Sequence, residues 1–558
     1  MTPRARAALA VVVPRTPRAR ATWAWAVATL AVVAATAAEQ GIGRDEGVYL
    51  AAAESYAAFP GAVLRAPGDA LALADALFAP NHEHPPLAKE LYGATHALLA
   101  EALGLTSHLQ GFRAGAFLFA ALLSAVLAAW GFDLAGRAGA LLAPALFWAV
   151  PRHFYHAHPA ALDLPVTALW TATAFAWARS LRAAAPAAAR ARTALLCGAL
   201  FGATVATKHN GWFLAPLLAL HWVLAPAPAL RRATWGERVR RVPLALPAMA
   251  VLGPAVLFAS WPWLWRDPVA RFAEYARFHL AHENYAWHYL GRILREPPFP
   301  LPYPFVVTAL TVPAAVLLAM AGGVVHAVAR AARTFGEASD DVLLLLNAVF
   351  PIALIAWPSV PRFGGVKHWL AAMPFLALLG ARALVAAGQA LWPARAGALT
   401  AALAALALAP AAWAVAHVHP YGTAAYNELA GGAPGAATLG MQRQFWGDAA
   451  VGVLGELDAH AAPGARVWWQ ETGRAAVEAW QRDGRVRADL RWAEGPDEAD
   501  LSIWQYHQEF RDKEYRTWTA FAERPAPGER PRSPVPVAGV YLDEVPLVQV
   551  YARPGAWR

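Results

Sequence analysis

Residues 22–57 read TWAWAVATLAVVAATAAEQGIGRDEGVYLAAAESYA, and the change of character inside this stretch decides how the chain is organised. Residues 22–38 carry no charge, and a run of roughly 17–25 apolar residues crosses the hydrocarbon core of a bilayer as a helix. Asp45 and Glu46 follow at the point where such a helix leaves the membrane. Residues 46–59, EGVYLAAAESYAAF, then place apolar side chains at helical spacing. The stretch therefore predicts a spanning helix that delivers two carboxylates to the membrane border, followed by an amphipathic helix along the interface.

Upstream lie Arg4, Arg6, Arg15, Arg18 and Arg20, a basic segment (residues 1–21) that orients the first span with its N-terminus in the cytoplasm. A cleavable signal peptide is the alternative, since AATAAEQ offers small residues. The apolar run exceeds a usual signal core and more spans follow, so an uncleaved anchor is expected.

Further apolar runs lie near residues 112–131, 138–151, 163–178, 193–207, 210–226, 243–260, 303–327, 342–357, 369–388 and 396–416. With the first they make about 11 candidate spans, of which 138–151 and 193–207 are the shortest. The composition agrees: 58% of the 558 residues are hydrophobic and only 15% charged, whereas charged residues approach about a quarter of a soluble domain. The net charge of +9 falls in short linkers between apolar runs, a pattern of membrane orientation, and no nucleic-acid partner is expected. Threaded from a cytoplasmic N-terminus, the arginine-rich linkers share one face. Histidines, carboxylates and tryptophans gather on the other. The single cysteine, Cys197, excludes an intramolecular disulfide framework and a multi-cysteine metal site.

The expected architecture is mainly α: a polytopic helical membrane domain over residues 22–417, with long outer loops at 40–111 and 261–302. Residues 418–558 form a small soluble α/β domain on the outer face. In it ARVWWQE, VRADLRW and ADLSIWQY read as strands, TGRAAVEAWQRD and RDKEYRTWTAFAER as helices, and GVYLDEVPLVQVYARP as a hairpin.

Four clusters on the outer face could carry chemistry. Asp45 and Glu46 can cap a helix, or one of them can act as a partly shielded general base. In NHEHPPLAKELYG, residues 81–93, two prolines precede a helix, which sets His84 and Lys89 at its entrance; Lys89 could meet a phosphate as a point charge. In RHFYHAHPAALDLP, residues 152–165, Asp163 starts a span, where a carboxylate is costly unless it caps the helix or faces a cavity. His153, His156 and His158 crowd the same loop, as interface aromatics, metal ligands or substrate contacts. In RFGGVKHWL, residues 362–370, Arg362, Lys367 and His368 flank two glycines and suit either a phosphate at the membrane surface or lipid headgroups. A transporter or flippase for a lipid-linked substrate remains the alternative to an enzyme, although its ionisable residues would be expected nearer mid-membrane.

These motifs resemble the polytopic C-type (GT-C) glycosyltransferases, specifically the family 39, dolichyl-phosphate-mannose-protein mannosyltransferase-like and aminoarabinose-transferase-like group. The resemblance rests on RDEGVYLAAAESY, HPPLAKELYG, HAHPAALDLPVTALW, ATKHNGWFLAPLLALHW, HENYAWHYLG, PLPYPFVVTALTVPA, GVKHWLAAMPFLALLGARAL and HPYGTAAYNELAGGAPGA with RQFWGDA, spanning about residues 20–450. It implies transfer of a sugar from a polyprenyl-phosphate-linked donor to an acceptor protein, lipid or glycan at the periplasmic face of a bacterial inner membrane, with inversion. It also implies Asp45 as the catalytic carboxylate, Asp163 as the second acidic position, and Glu46 as an assistant or a helix residue. Lys89, Arg362, Lys367 and His368 are the expected donor-phosphate ligands. His84, His158, Lys208 and His282 are further substrate contacts, with His209 beside Lys208. The second loop carries one acid, LDLP, where oligosaccharyltransferases carry a metal-binding pair. No metal is therefore expected, and a divalent cation is the less favoured alternative.

Overall fold

The computed structural model describes residues 16–182, 185–225, 233–333, 339–522 and 533–558. Arg4, Arg6 and Arg15 lie outside them. Helix α1 (Pro17–Thr36) starts where the Thr16 hydroxyl accepts from the Ala19 amide at 3.1 Å and Pro17 takes the first helical position. The chain then runs through α2 (Arg44–Ala57), α3 (Leu87–His96), α4 (His108–Trp148), α5 (Asp163–Ser180), α6 (Ala187–Val205), α7 (Leu214–Leu224), α8 (Ala245–Ser260) and α9 (Pro268–Leu280). It continues with α10 (Tyr303–Thr311), α11 (Ala314–Arg333), α12 (Ser339–Ala356), α13 (Met373–Leu391) and α14 (Ala396–Val418). Each apolar run overlaps at least one of these helices, and residue 226 of the run 210–226 lies outside the described residues. Among the described residues, six helical segments are long and apolar enough to cross a membrane, and α8 is apolar but shorter.

Two expected spans differ from their simple reading. The runs 112–131 and 138–151 share one helical stretch, α4, which folds at Ala135 and Gly136, where Gly136 adopts φ +62°. The limbs close tightly: a Cβ on Gly131 would stand 2.3 Å from the Gly139 carbonyl oxygen. The returning limb, residues 137–148, rises only about 18 Å at ~1.5 Å per residue, short of a full crossing. The run 303–327 breaks at Val312 and Pro313 into α10 and α11, because proline supplies no amide to continue the ladder.

Small residues let the helices approach closely. Cβ atoms on Gly93, Gly198 and Gly323 would lie 2.3–2.6 Å from backbone atoms of Ala53, Ala248 and Leu379 respectively. Lipid-facing surfaces carry the opposite signature, with Val27 and Val32 on α1, Leu318 and Val325 on α11, and Leu406 and Trp413 on α14 all exposed. At the bundle end remote from Asp45, Asp133 gathers Arg18 (2.8 Å), Arg182 (3.0 Å) and Arg179 (3.3 Å). Asp341 is buried there between Arg330 and Arg382.

Beyond α14 the chain builds a mixed five-stranded sheet. A short hairpin, β1 (Trp287–Tyr289) and β2 (Arg292–Leu294), precedes it in the loop after α9. The sheet comprises β3 (Arg466–Trp469), β4 (Arg491–Trp492), β5 (Leu501–Gln505), β6 (Ala538–Leu542) and β7 (Val545–Ala552) in the order β4-β3-β5-β7-β6. β3 runs parallel to β4 and β5, while β7 pairs antiparallel with β5 and β6. Every residue of β5 is buried, as a central strand covered on both faces requires. Helices α15 (Arg474–Arg482) and α16 (Arg511–Phe521) accompany the sheet. This α/β unit grips the helical part directly. Asp483 accepts from the His108 amide (2.8 Å), the Leu109 amide (3.2 Å) and the Ser107 hydroxyl (2.9 Å), placing a carboxylate at the start of α4.

Candidate active site

The turn Gln40–Gly43 carries the chain from α1 into α2 and leaves Asp45 in the first turn of α2, behind Gly43 at the cap position. Asp45 Oδ2 accepts from Lys367 Nζ at 2.9 Å and from Trp446 Nε1 at 2.9 Å. Burial pushes its carboxyl up, but the charges of Lys367 and Arg44 outweigh this and hold it below the usual carboxylate range. Asp163, at the first position of α5, pairs with Lys208 at 2.6 Å and is close enough for its charge to act on Asp45. Two carboxylates and two lysines thus alternate at one bundle end, contributed by α2, α5, the residues after α6 and the turn before α13.

Aromatic and imidazole rings close the walls. Trp446 lies over Lys367 (4.7 Å from Nζ to the ring centroid) and edges His156 at 5.2 Å. Burial pushes His156 down to about 4, and neither of its ring nitrogens has a protein partner. Beside Lys208, His209 stacks on His279 with centroids 4.0 Å apart, and His84 packs 5.4 Å from His279. His368 edges Phe363, on whose face His282 stacks at 5.2 Å. The structure therefore brings Asp45, Asp163, Lys208, His209, Lys367, His368, His84 and His282 into one neighbourhood. Among the described residues, no group of three or more His, Cys, Asp or Glu side chains is arranged to hold a metal ion.

Four expected site residues are engaged elsewhere. Glu46 is buried at 1% exposure, and its two oxygens accept from Arg113 Nε (2.8 Å) and Nη2 (2.9 Å) and from the Ala160 amide (2.9 Å). Through Arg113 it holds the α1–α2 turn in place. Lys89 is fully buried and donates to Asn81 O (2.8 Å), Asn81 Oδ1 (2.9 Å), His84 O (3.0 Å) and Tyr56 Oη (3.2 Å). It tethers the loop before α3. Arg362 donates to the carbonyls of Ala356 (2.8 Å), Trp357 (3.3 Å) and Pro300, closing the end of α12. His158 bonds Thr36 Oγ1 at 2.8 Å and Phe154 O at 2.9 Å, against α1 and away from the lysines.

No protein-family model and no curated protein sequence matches the chain. Solved structures do. ArnT from Cupriavidus metallidurans bound to undecaprenyl phosphate is 15% identical with a TM-score of 0.48, over 94% of this chain and 97% of that one. The apo state of the same ArnT is 16% identical with a TM-score of 0.49 over the same shares. The archaeal oligosaccharyltransferase AglB from Archaeoglobus fulgidus, in complex with an inhibitory peptide and a dolichol-phosphate, is 12% identical with a TM-score of 0.47, over 84% of this chain and 64% of that one.

Trp446 and His279 were not singled out in the sequence, and His156 was read only as one of three crowded histidines. Trp446 lies 401 positions from Asp45, and nothing local announces the contact. Its signal is the glycine that follows: Trp446 and Gly447 adopt φ +75° and +73°, and Gln505 of β5 pins the turn through Gly447 O at 2.8 Å. Arg113 was legible in principle, because an arginine at the start of an apolar run is costly unless a carboxylate meets it.

Proposed function

We propose that the chain is a membrane glycosyltransferase that moves a sugar from a polyprenyl-phosphate-linked donor to an acceptor hydroxyl or amine at the periplasmic face of the inner membrane. The observation that carries this reading is the Asp45 carboxylate, poised at the outer end of α1 between Lys367 and Trp446, beside the Asp163–Lys208 pair. A donor anchored by its lipid presents its headgroup at this depth, and a base that is ionised yet shielded from bulk water suits proton removal there. Lys367 and Lys208 are the cations nearest the two carboxylates and attract the donor phosphate. Asp45 takes the acceptor's proton as the nucleophile attacks the anomeric carbon, and the lipid phosphate departs from the opposite face, which inverts the configuration. The reaction so drawn uses no metal. The α/β unit over residues 418–558 delivers Trp446 to the site and so belongs to the catalytic unit. Incubating membranes that contain the full chain with a panel of radiolabelled polyprenyl-phosphate sugars tests the reading. Release of free polyprenyl phosphate with label on an acceptor supports it; an unconsumed panel combined with transbilayer movement of the donors overturns it in favour of transport.

A further inference from the structure

The two lysines of the site are already neutralised. Lys367 pairs with Asp45 at 2.9 Å and Lys208 with Asp163 at 2.6 Å, so the four groups sum to zero charge. An incoming phosphate therefore brings an uncompensated negative charge among largely buried side chains, which is costly. Next to the lysines stand four imidazoles with unused hydrogen-bonding capacity: His84 Nδ1, His209 Nδ1, His279 Nδ1 and His368 Nε2 are all buried without a partner. Their rings touch one another in sequence, His84 to His279 at 5.4 Å and His279 to His209 at 4.0 Å, while His368 acts electrostatically on His209.

We propose that binding of the donor's phosphate is coupled to protonation of this imidazole cluster, which supplies the positive charge that the paired lysines do not. The inference rests on the glycosyltransferase reading above. The groups facing the cluster are Tyr49 of α2, Glu83 and Lys89 around the loop before α3, Asp163 of α5, and Lys208 after α6. Tyr275 and His282 come from the α9 region and Lys367 from the turn before α13. Burial and the neighbouring lysines keep His84 and His209 well below the usual imidazole range, and burial pushes His279 down to about 4. The rings of His84, His209 and His279 are therefore neutral at pH 7. A phosphate within hydrogen-bond reach reverses the balance, because it favours the charged imidazolium.

The reaction raises the demand further. The bond between the anomeric carbon and the phosphate oxygen breaks, the acceptor–carbon bond forms, and the acceptor's proton passes to Asp45. The phosphate oxygen keeps the electron pair, so a singly charged diester becomes a monoester with one more ionisable oxygen, whose second pKa is about 6. An imidazolium beside it offsets that added charge, and its deprotonation accompanies release of the product.

Calorimetric titration of the full-length protein in detergent with farnesyl phosphate at pH 8, in two buffers of different ionisation enthalpy, tests this. The expected result is uptake of about one proton per ligand bound and an affinity that falls about tenfold per pH unit above neutrality. The His209→Gln, His279→Gln double variant, checked for folding by its melting curve, is expected to bind with the uptake lost. If that variant does not fold, His368→Gln is read instead and is expected to reduce the uptake. Binding whose heat does not depend on the buffer, or uptake unchanged in the histidine variants, overturns the proposal and leaves the glycosyltransferase reading standing. Failure of farnesyl phosphate to bind at all overturns both.

Discussion

Removing the Glu46 carboxylate is expected to damage the fold and not the chemistry. Glu46 and Arg113 form a fully buried pair: two bonds at 2.8 and 2.9 Å join them, and Arg113 also donates to the carbonyls of Ala37 (3.0 Å), Gln40 (2.9 Å) and Gly41 (2.6 Å). Glu46→Ala leaves the guanidinium with three carbonyls and no counter-charge, and breaking a buried pair from one side costs about 3–5 kcal/mol. The orphaned Ala160 amide adds about 1–3 kcal/mol. Against a net stability of about 5–15 kcal/mol for a typical domain, this abolishes most folded protein. Glu46→Leu combined with Arg113→Leu removes the lone buried charge but leaves the Ala37, Gln40 and Gly41 carbonyls without their donor, so it is expected to recover only part of the loss. Fluorescence-detected size exclusion after a temperature ramp in detergent reads the two variants beside the native chain. A Glu46→Ala protein as stable as the native chain but unable to transfer sugar would refute the reasoning and return Glu46 to the catalytic group.

Three further outcomes are expected. Lys367→Met removes the counter-charge that holds Asp45 low, so burial then raises its carboxyl; on the proposed function, the acid limb of the pH–rate profile of transfer moves upward, and transfer is lost at a higher pH than in the native chain. Trp446→Phe keeps a ring over Lys367 but deletes the Nε1 donor to Asp45, a charge-assisted bond of about 1.5–3 kcal/mol; transfer is expected to fall about tenfold or more while the same acid limb moves upward by less than in Lys367→Met. Burial pushes Asp448 up to about 7 from an ordinary value of 3.8. A raised acid gives stability that is present below the unfolded value and lost as pH rises towards 7. Asp448→Asn should therefore flatten stability between about pH 4 and 7 and gain up to about 4 kcal/mol at pH 8, as seen by chemical denaturation.

The helical architecture was legible because most apolar runs are long and carry at most one charge, with the arginines concentrated in the linkers between them, and such runs have few alternatives to a helix. The α/β character of residues 418–558 was equally plain, since strands such as LSIWQ and the VYLDEVPLVQV hairpin alternate or run apolar between turn residues. The site was only partly so. Asp45, Asp163, Lys208, Lys367 and His368 stood out because charge at a membrane border is rare. For the same reason Glu46, Lys89 and Arg362 looked functional, yet the fold spends them on a salt bridge and on main-chain carbonyls. A buried charge satisfied by backbone and one satisfied by a ligand look the same in a sequence. For two of them a separating partner lies far away: Arg113 stands 67 positions from Glu46, and Pro300 stands 62 from Arg362. Trp446 was hidden in the opposite sense, as an aromatic in a turn that gains its role only when β5 presses that turn against α2.

The most direct test of the central claim is the initial rate of sugar transfer by purified Asp45→Asn protein against the native chain, at matched amounts and with farnesyl phosphate binding measured on both. Asparagine preserves the shape at Lys367 and Trp446 but cannot take a proton, so transfer is expected to fall by about 10²–10⁴ while the phosphate still binds. Transfer at the native rate by a folded Asp45→Asn protein would contradict the account and reduce Asp45 to a structural partner of Lys367 and Trp446.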